Sequence, residues 1–143
     1  MITIIIVAFV LISLFATIKY HNEVRNANID NGGLRKSFDY FTQYLDQYYQ
    51  MQFDADTGRY FSYSKVLKVS GNNHGKLFIG VKLSIQHEPI LFTKFKNEYR
   101  GEYHGMDVSG INLNNKDSID RCIKISLEKL KTEGILDYFN NYN

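Results

Sequence analysis

From Met1 to Ile18 the chain carries no charged side chain, and the apolar run stops at Lys19. A helix over Ile2 to Ile18 spans about 26 Å, close to the hydrocarbon thickness of a bilayer. Lys19 and Tyr20 suit the headgroup level and make up the shortfall. Thr3, Ser13 and Thr17 can bond back to helix carbonyls in lipid. A cleaved secretory signal is the main rival. It needs basic residues ahead of the apolar run, where there are none, and a small-x-small site, which Phe15-Ala16-Thr17-Ile18-Lys19 supplies poorly. A buried core helix apolar on every side would need covering all round, more than the remaining chain offers. Residues 1–18 are therefore expected to be a single-pass transmembrane anchor, contacting membrane lipid through residues 2–18. Lys19, Arg25, Arg35 and Lys36 all follow the run, so the positive-inside rule places the rest of the chain in the cytoplasm.

The remainder suffices for one domain with a real core. Residues 19–33 are mostly polar and end in Asn31-Gly32-Gly33, which reads as a juxtamembrane segment and hinge. Leu34, Phe38, Phe41, Leu45 and Tyr48 then form one apolar stripe on a helix expected from Leu34 to Gln52, with Asp54-Ala55-Asp56-Thr57-Gly58 as the turn that ends it. Phe61, Tyr63, Leu67 and Val69 share a strand face interrupted by Lys65, and Gly71 to Gly75 reads as a hairpin loop. Leu77, Ile79, Val81, Leu83 and Ile85 alternate with Lys76, Phe78, Gly80, Lys82, Ser84 and Gln86, the strongest strand signal in the chain. Ile90 to Lys96 reads as a third strand, Asn97 to His104 as a possible fourth, and Gly105 to Asn114 as an irregular connection. Asn115 or Asp117 caps a last helix whose buried face carries Ile119, Cys122, Ile123, Leu127 and Leu130, ended by Gly134 and followed by the apolar tail Ile135 to Phe139. The expected fold is α+β: after the anchor, residues 34–143 form a small domain with a three- to four-stranded antiparallel sheet covered on one face by two helices.

Chemistry is scarce. The net charge of +2 is too small to argue for nucleic acid, and none is expected as a partner. Asp54-Ala55-Asp56-Thr57-Gly58 misses an EF-hand, since its glycine falls one place early and its twelfth position is Lys65. His87-Glu88 begins like a zinc-protease helix, but Leu91 stands where the second histidine belongs and Pro89 breaks the helix. No metal and no cofactor is expected. Cys122, the only cysteine, falls on an apolar helix face and reads as a buried, inert thiol. Ser109 lacks the glycines of a nucleophile elbow. His104, Asp107 and Glu102 form an acid–base site only if the fold gathers them, and no catalytic residue is assigned.

Two binding surfaces remain. If Leu77, Ile79 and Val81 point inward, Phe78 and Lys82 point outward, and Lys68, Phe92, Lys94 and Lys96 join them where the register allows. Lysines beside aromatics suit an acidic protein partner, well ahead of stacked single-stranded RNA. Gly32 and Gly33, with Arg35 and Lys36, offer free amides and cations near the bilayer, a speculative lipid-phosphate site.

The layout, one anchor and a small α+β domain, resembles membrane-tethered immunity proteins that neutralise toxins, and bitopic accessory subunits of envelope machines. That resemblance is one of architecture, carries no motif and assigns no family. It implies a non-enzymatic, membrane-anchored protein-binding module, with an immunity or inhibitor role as one form. The alternative is a structural or accessory subunit of a membrane-bound assembly, in which a homo-oligomer could form through the anchor and the Leu34–Tyr48 stripe.

Overall fold

The computed structural model describes residues 1–68, 74–97 and 103–133, without the side chains of Lys68, Tyr103 and His104. Helix α1 (Ile2–Asp30) is long and apolar enough to span a membrane and buries none of its residues. A short 3₁₀ helix (Leu34–Phe38) leads into α2 (Asp39–Gln47). Five strands follow, β1 (Gln52–Asp56), β2 (Tyr60–Lys68), β3 (His74–Leu83), β4 (Pro89–Asn97) and β5 (Tyr103–Ser109), and then α3 (Lys116–Thr132). The strands form one antiparallel sheet in sequence order. The architecture is α+β, as expected, but with five strands rather than three or four.

Period-two alternation decides which face is buried. Across the sheet, Phe61–Val81–Leu91–Val108 and Tyr63–Ile79–Thr93–Met106 lie in register on one face. Onto that face pack Leu34, Phe41 and Leu45 from the first helices, and Ile119, Cys122, Ile123, Leu127 and Leu130 from α3. The five α3 residues are those that the helical spacing selects, and Asn115 is the cap, its side-chain oxygen accepting the Ser118 N–H at 3.0 Å. Lys65, which interrupts the β2 pattern, reaches the Tyr49 carbonyl with its ammonium at 3.1 Å.

Four boundaries differ from expectation. The helix expected from Leu34 to Gln52 is a 3₁₀ turn followed by α2 and does not run to Gln52. It ends at Gln47, Gln50 takes a left-handed φ of 53°, and Tyr49 rather than Tyr48 enters the core. The segment read as a turn from Asp54 is mostly strand β1, and the chain reverses at Thr57-Gly58-Arg59. β3 stops at Leu83, so Ile85 does not face inward but sits 79% exposed in the β3–β4 turn. Gly105 to Ser109 is strand β5, paired along β4, not an irregular connection. The expected loop residues Gly71 to Asn73, together with Val69, Glu102, Gly134 and the tail Ile135 to Phe139, lie outside the described residues.

α1 is joined to the domain by a bend and held there by polar contacts. Gly32 and Gly33 adopt φ of 94° and 95°, a region open to glycine at little cost. Beyond the bend, the Asp56 carboxylate accepts the backbone N–H of Leu34 at 3.1 Å, of Arg35 at 2.9 Å and of Gly58 at 2.9 Å. Before it, the Asn28 side chain donates to the Gly58 carbonyl at 2.7 Å. His21, Val24 and Asn28, one helical stripe, are half-buried against the domain.

Gly80 is where the sheet accepts no side chain. A Cβ there would strike the Phe61 carbonyl oxygen and come within 2.9 Å of both Ser62 Cα and the Phe92 ring. Gly80→Ala is expected to cost about 1–3 kcal/mol of stability. Gly105→Ala, whose nearest neighbour would be the Thr93 oxygen at 3.1 Å, should cost clearly less. Urea unfolding of the detergent-solubilised chain, followed by circular dichroism, compares them; equal stabilities would mean that the strands part freely at Gly80.

Candidate functional site

The face of the sheet opposite the helices carries its own order. Reading across β2, β3, β4 and β5, the outward rows are Tyr60–Lys82–Ile90–Ser109, then Ser62–Gly80–Phe92–Asp107, then Ser64–Phe78–Lys94–Gly105. Because Gly80 leaves a gap between Ser62 and Phe92, the Phe92 ring lies down over it and is only 4% exposed despite facing outward. Tyr60 meets that ring edge-on at 6.3 Å. The Lys94 ammonium stands 5.3 Å from the Phe92 centroid, and that of Lys76 stands 5.3 Å from the Phe78 centroid.

β1 contributes through a bulge. Phe53 pairs with Tyr63 and Ala55 with Ser62, which leaves Asp54 as the extra residue. A bulge re-aims a side chain, and the Asp54 carboxylate accepts from Ser62 Oγ at 3.1 Å and pairs with the Lys76 ammonium at 3.4 Å. Lys82 pairs with Asp107 across the sheet. Asp54, Tyr60, Ser62, Phe78, Lys82, Phe92 and Lys94 together line a shallow depression of about 260 Å³.

Four of the six residues expected at a binding face, Phe78, Lys82, Phe92 and Lys94, thus line one depression. Lys96 lies on the same face, opposite Lys76 and outside the depression. Lys68 ends β2 opposite His74, and its side chain is outside the described residues. Sequence reasoning did not find Tyr60, Ser62 or Asp54. Tyr60 and Ser62 follow from the β2 alternation, but Asp54 depends on a bulge that no local pattern announces.

The other candidates fall differently. Of the residues proposed for a lipid phosphate, the Gly32 and Gly33 N–H groups donate to the Ile29 and Asn28 carbonyls at 3.1 and 2.7 Å, the Lys36 N–H to the Gly33 carbonyl at 3.4 Å and the Arg35 N–H to Asp56, while the Arg35 guanidinium lies 4.1 Å from the Phe53 centroid. Asp107 is engaged with Lys82, while Glu102 and the His104 side chain lie outside the described residues. Cys122 is buried; burial raises its thiol above the ordinary range, against a smaller opposite effect of Ser126. It borders an apolar cleft of about 340 Å³ between β5 and α3, lined also by Met106, Val108, Ile111 and Ile125. The His21 and His87 rings lie against each other, tilted by 53° with centroids 5.1 Å apart. Among the described residues no group of three histidine, cysteine or carboxylate side chains could hold a metal.

A tyrosine cluster is the clearest feature that was missed. Tyr40, Tyr44 and Tyr48 recur every fourth residue, so their rings stack up one face of α2 and the residues after it, with centroid spacings of 6.4 and 5.0 Å. The Tyr44 hydroxyl donates to Asp120 at 2.5 Å and the Tyr49 hydroxyl to the same oxygen at 2.8 Å. This ties the α2 segment to α3. A scan against protein-family models and searches of curated proteins and solved structures find no match to this chain.

Burial first, then the hydrogen bond to Asp120, raises both phenols above the ordinary tyrosine range. An acid whose folded-state pKa is raised stabilises the fold below its unfolded pKa of about 10, and that contribution is lost as pH climbs past it. In a phenolate-absorbance titration, Tyr44 and Tyr49 should therefore lag behind the other tyrosines until the fold opens. Asp120→Ala should shorten the lag, leaving the part due to burial, and cost about 1–2 kcal/mol; an unchanged titration would mean that the carboxylate does not hold these hydroxyls.

Proposed function

We propose that this chain is a membrane-anchored, non-enzymatic module that binds another protein through the open face of its sheet. One observation carries the reading: the helices pack on one side, and the other presents a depression where aromatic rings are pressed beneath lysines. Such a mixture of aromatic surface and long cations is what protein interfaces use at their centres and rims. Among the described side chains of that face, Lys76, Lys82, Lys94 and Lys96 outnumber Asp54 and Asp107 by two, an excess of positive charge that favours an acidic partner. An immunity or inhibitor role against a toxin is one concrete form. The anchor is α1, long and apolar enough to span a membrane. The cations Lys19, Arg25, Arg35 and Lys36 beyond its apolar run favour a cytoplasmic domain.

A second reading is a bitopic accessory subunit of a membrane assembly. Leu34, Phe41 and Leu45 are spent in the domain's own core, so helix pairing in that version falls to α1, none of which is buried.

The test is a pull-down from native membranes with a C-terminal tag, read by mass spectrometry. The expected result is one dominant soluble partner whose recovery falls roughly tenfold or more in the Lys82→Glu/Lys94→Glu variant. Lys124→Glu/Lys131→Glu, the same change of charge on exposed positions of α3, should leave it unchanged. Equal loss in both variants, or recovery of membrane subunits alone, would overturn the open-face reading.

A further inference from the structure

The position of the β3–β4 turn along α1 has a consequence if α1 spans the bilayer, a reading on which this inference rests. The uncharged run ends at Ile18, and Tyr20 and His21 stand only about 3 and 4.5 Å further along the helix axis. The His87 ring lies against both, with centroids 4.9 Å from Tyr20 and 5.1 Å from His21. The β1–β2 turn sits higher, since Gly58 meets Arg25, Asn28 and Ile29 about 10–16 Å beyond Ile18. Both turns lie at the same end of the sheet, where the Leu83 N–H donates to the Arg59 carbonyl, so α1 passes along that end and the turn that joins β3 to β4 is brought to the level of the lipid headgroups.

That turn is suited to the place. Ile85, at 79% exposure, is the most exposed large apolar side chain described outside α1. The turn, Ser84 to Glu88, carries one charged side chain, the exposed Glu88 at its far end, and none from Ser84 to His87 around Ile85. Its backbone is fixed from within: Ser84 Oγ accepts the N–H groups of Gln86 at 3.2 Å and Glu88 at 3.1 Å, and the Ser84 N–H donates to the Glu88 carbonyl at 2.9 Å. An apolar side chain on a preformed turn enters an interface without an ordering cost. Arg59 of the β1–β2 turn braces this turn, its carbonyl accepting the Leu83 N–H at 2.9 Å. Tyr20 is half-exposed and placed as interfacial aromatics are. In water Ile85 would be a lone exposed side chain of no consequence. At the height of Tyr20 it has an apolar phase to enter.

We propose that the β3–β4 turn is a second membrane contact, with Ile85 inserted at the headgroup–acyl boundary beside the anchor. The domain is then held at two points, α1 and Ile85, and cannot turn freely about the helix axis.

The test uses the full chain in vesicles of phosphatidylcholine and phosphatidylglycerol, in a Cys122→Ser background. Single cysteines at Ile85→Cys, Ile12→Cys and Lys124→Cys carry an environment-sensitive fluorophore, and lipids brominated at shallow or deep acyl positions serve as quenchers. Expected are a blue-shifted label at position 85 quenched by shallow bromines, deep quenching at 12, and no lipid quenching at 124. A label at 85 that behaves like the one at 124, while 12 is quenched deeply, would overturn the second contact and leave the anchor standing. Absence of lipid quenching at 12 and 85 together would overturn the anchor reading and this inference with it.

Discussion

Everything in the domain is indexed to the register of β3. It is the middle strand of five, and Leu77, Ile79 and Val81 are wholly buried on its inner side. A slip of one residue would bring Lys76, Phe78 and Lys82 to that side and Leu77, Ile79 and Val81 to the open one. Two glycines reinforce the register by volume as well as by pattern. The Phe95 ring fills the place of a Gly75 side chain on the inner face, and Phe92 covers Gly80 on the outer. The sheet is thus locked from both sides, and the aromatic floor of the open face is a by-product of the same alternation that builds the core.

The second constraint is the Asp56 carboxylate. One anionic side chain gathers the N–H groups that open the 3₁₀ helix and the one in the β1–β2 turn, tying together three pieces of chain that meet where α1 arrives. With Asn28 bonded to Gly58 on the helix side, the bend at Gly32-Gly33 is bracketed by contacts. The outcome concerns function directly. Held in this way, the open face keeps a set height and heading relative to α1.

Much of this plan was legible because burial enforces periodicity. The strands β3 and β4, the five core positions of α3 and the buried state of Cys122 all follow from repeats of two or 3.6 residues. What escaped was whatever local chemistry disguises. Asp54, Asp56 and Gly58 have turn composition, yet Asp54 is a bulge and Asp56 a cap, roles that depend on partners eight or more residues away. β5 offers only Met106 and Val108 as an alternating pair beside Gly105 and Asp107, and gains its order from pairing with β4. The tyrosine stack was visible as a repeat of four, but the longer stripe ending at Tyr48 hid it, since both patterns claim that residue and the core takes Tyr49. On the open face, Phe78, Lys82, Phe92 and Lys94 could be placed by alternation alone; that Phe92 would lie flat could not, because it depends on the missing side chain across the strand at Gly80.

The charges on the open face bear on what it suits. Lys76 and Lys82 are already paired, with Asp54 and Asp107, and both pairs are partly exposed to solvent. Such pairs are worth little, about 0–1 kcal/mol each. A partner can therefore exchange them for its own carboxylates at small cost. A nucleic acid backbone would meet those same two aspartates, fixed among the lysines, as repulsion repeated at every phosphate it lays across the face. A protein can place its acidic groups over Lys82 and Lys94 and its neutral or basic ones over the aspartates. Alternating charge of this kind, set around a buried ring, would discriminate among partners by position rather than by total charge, which is the physical argument for proposing a protein partner.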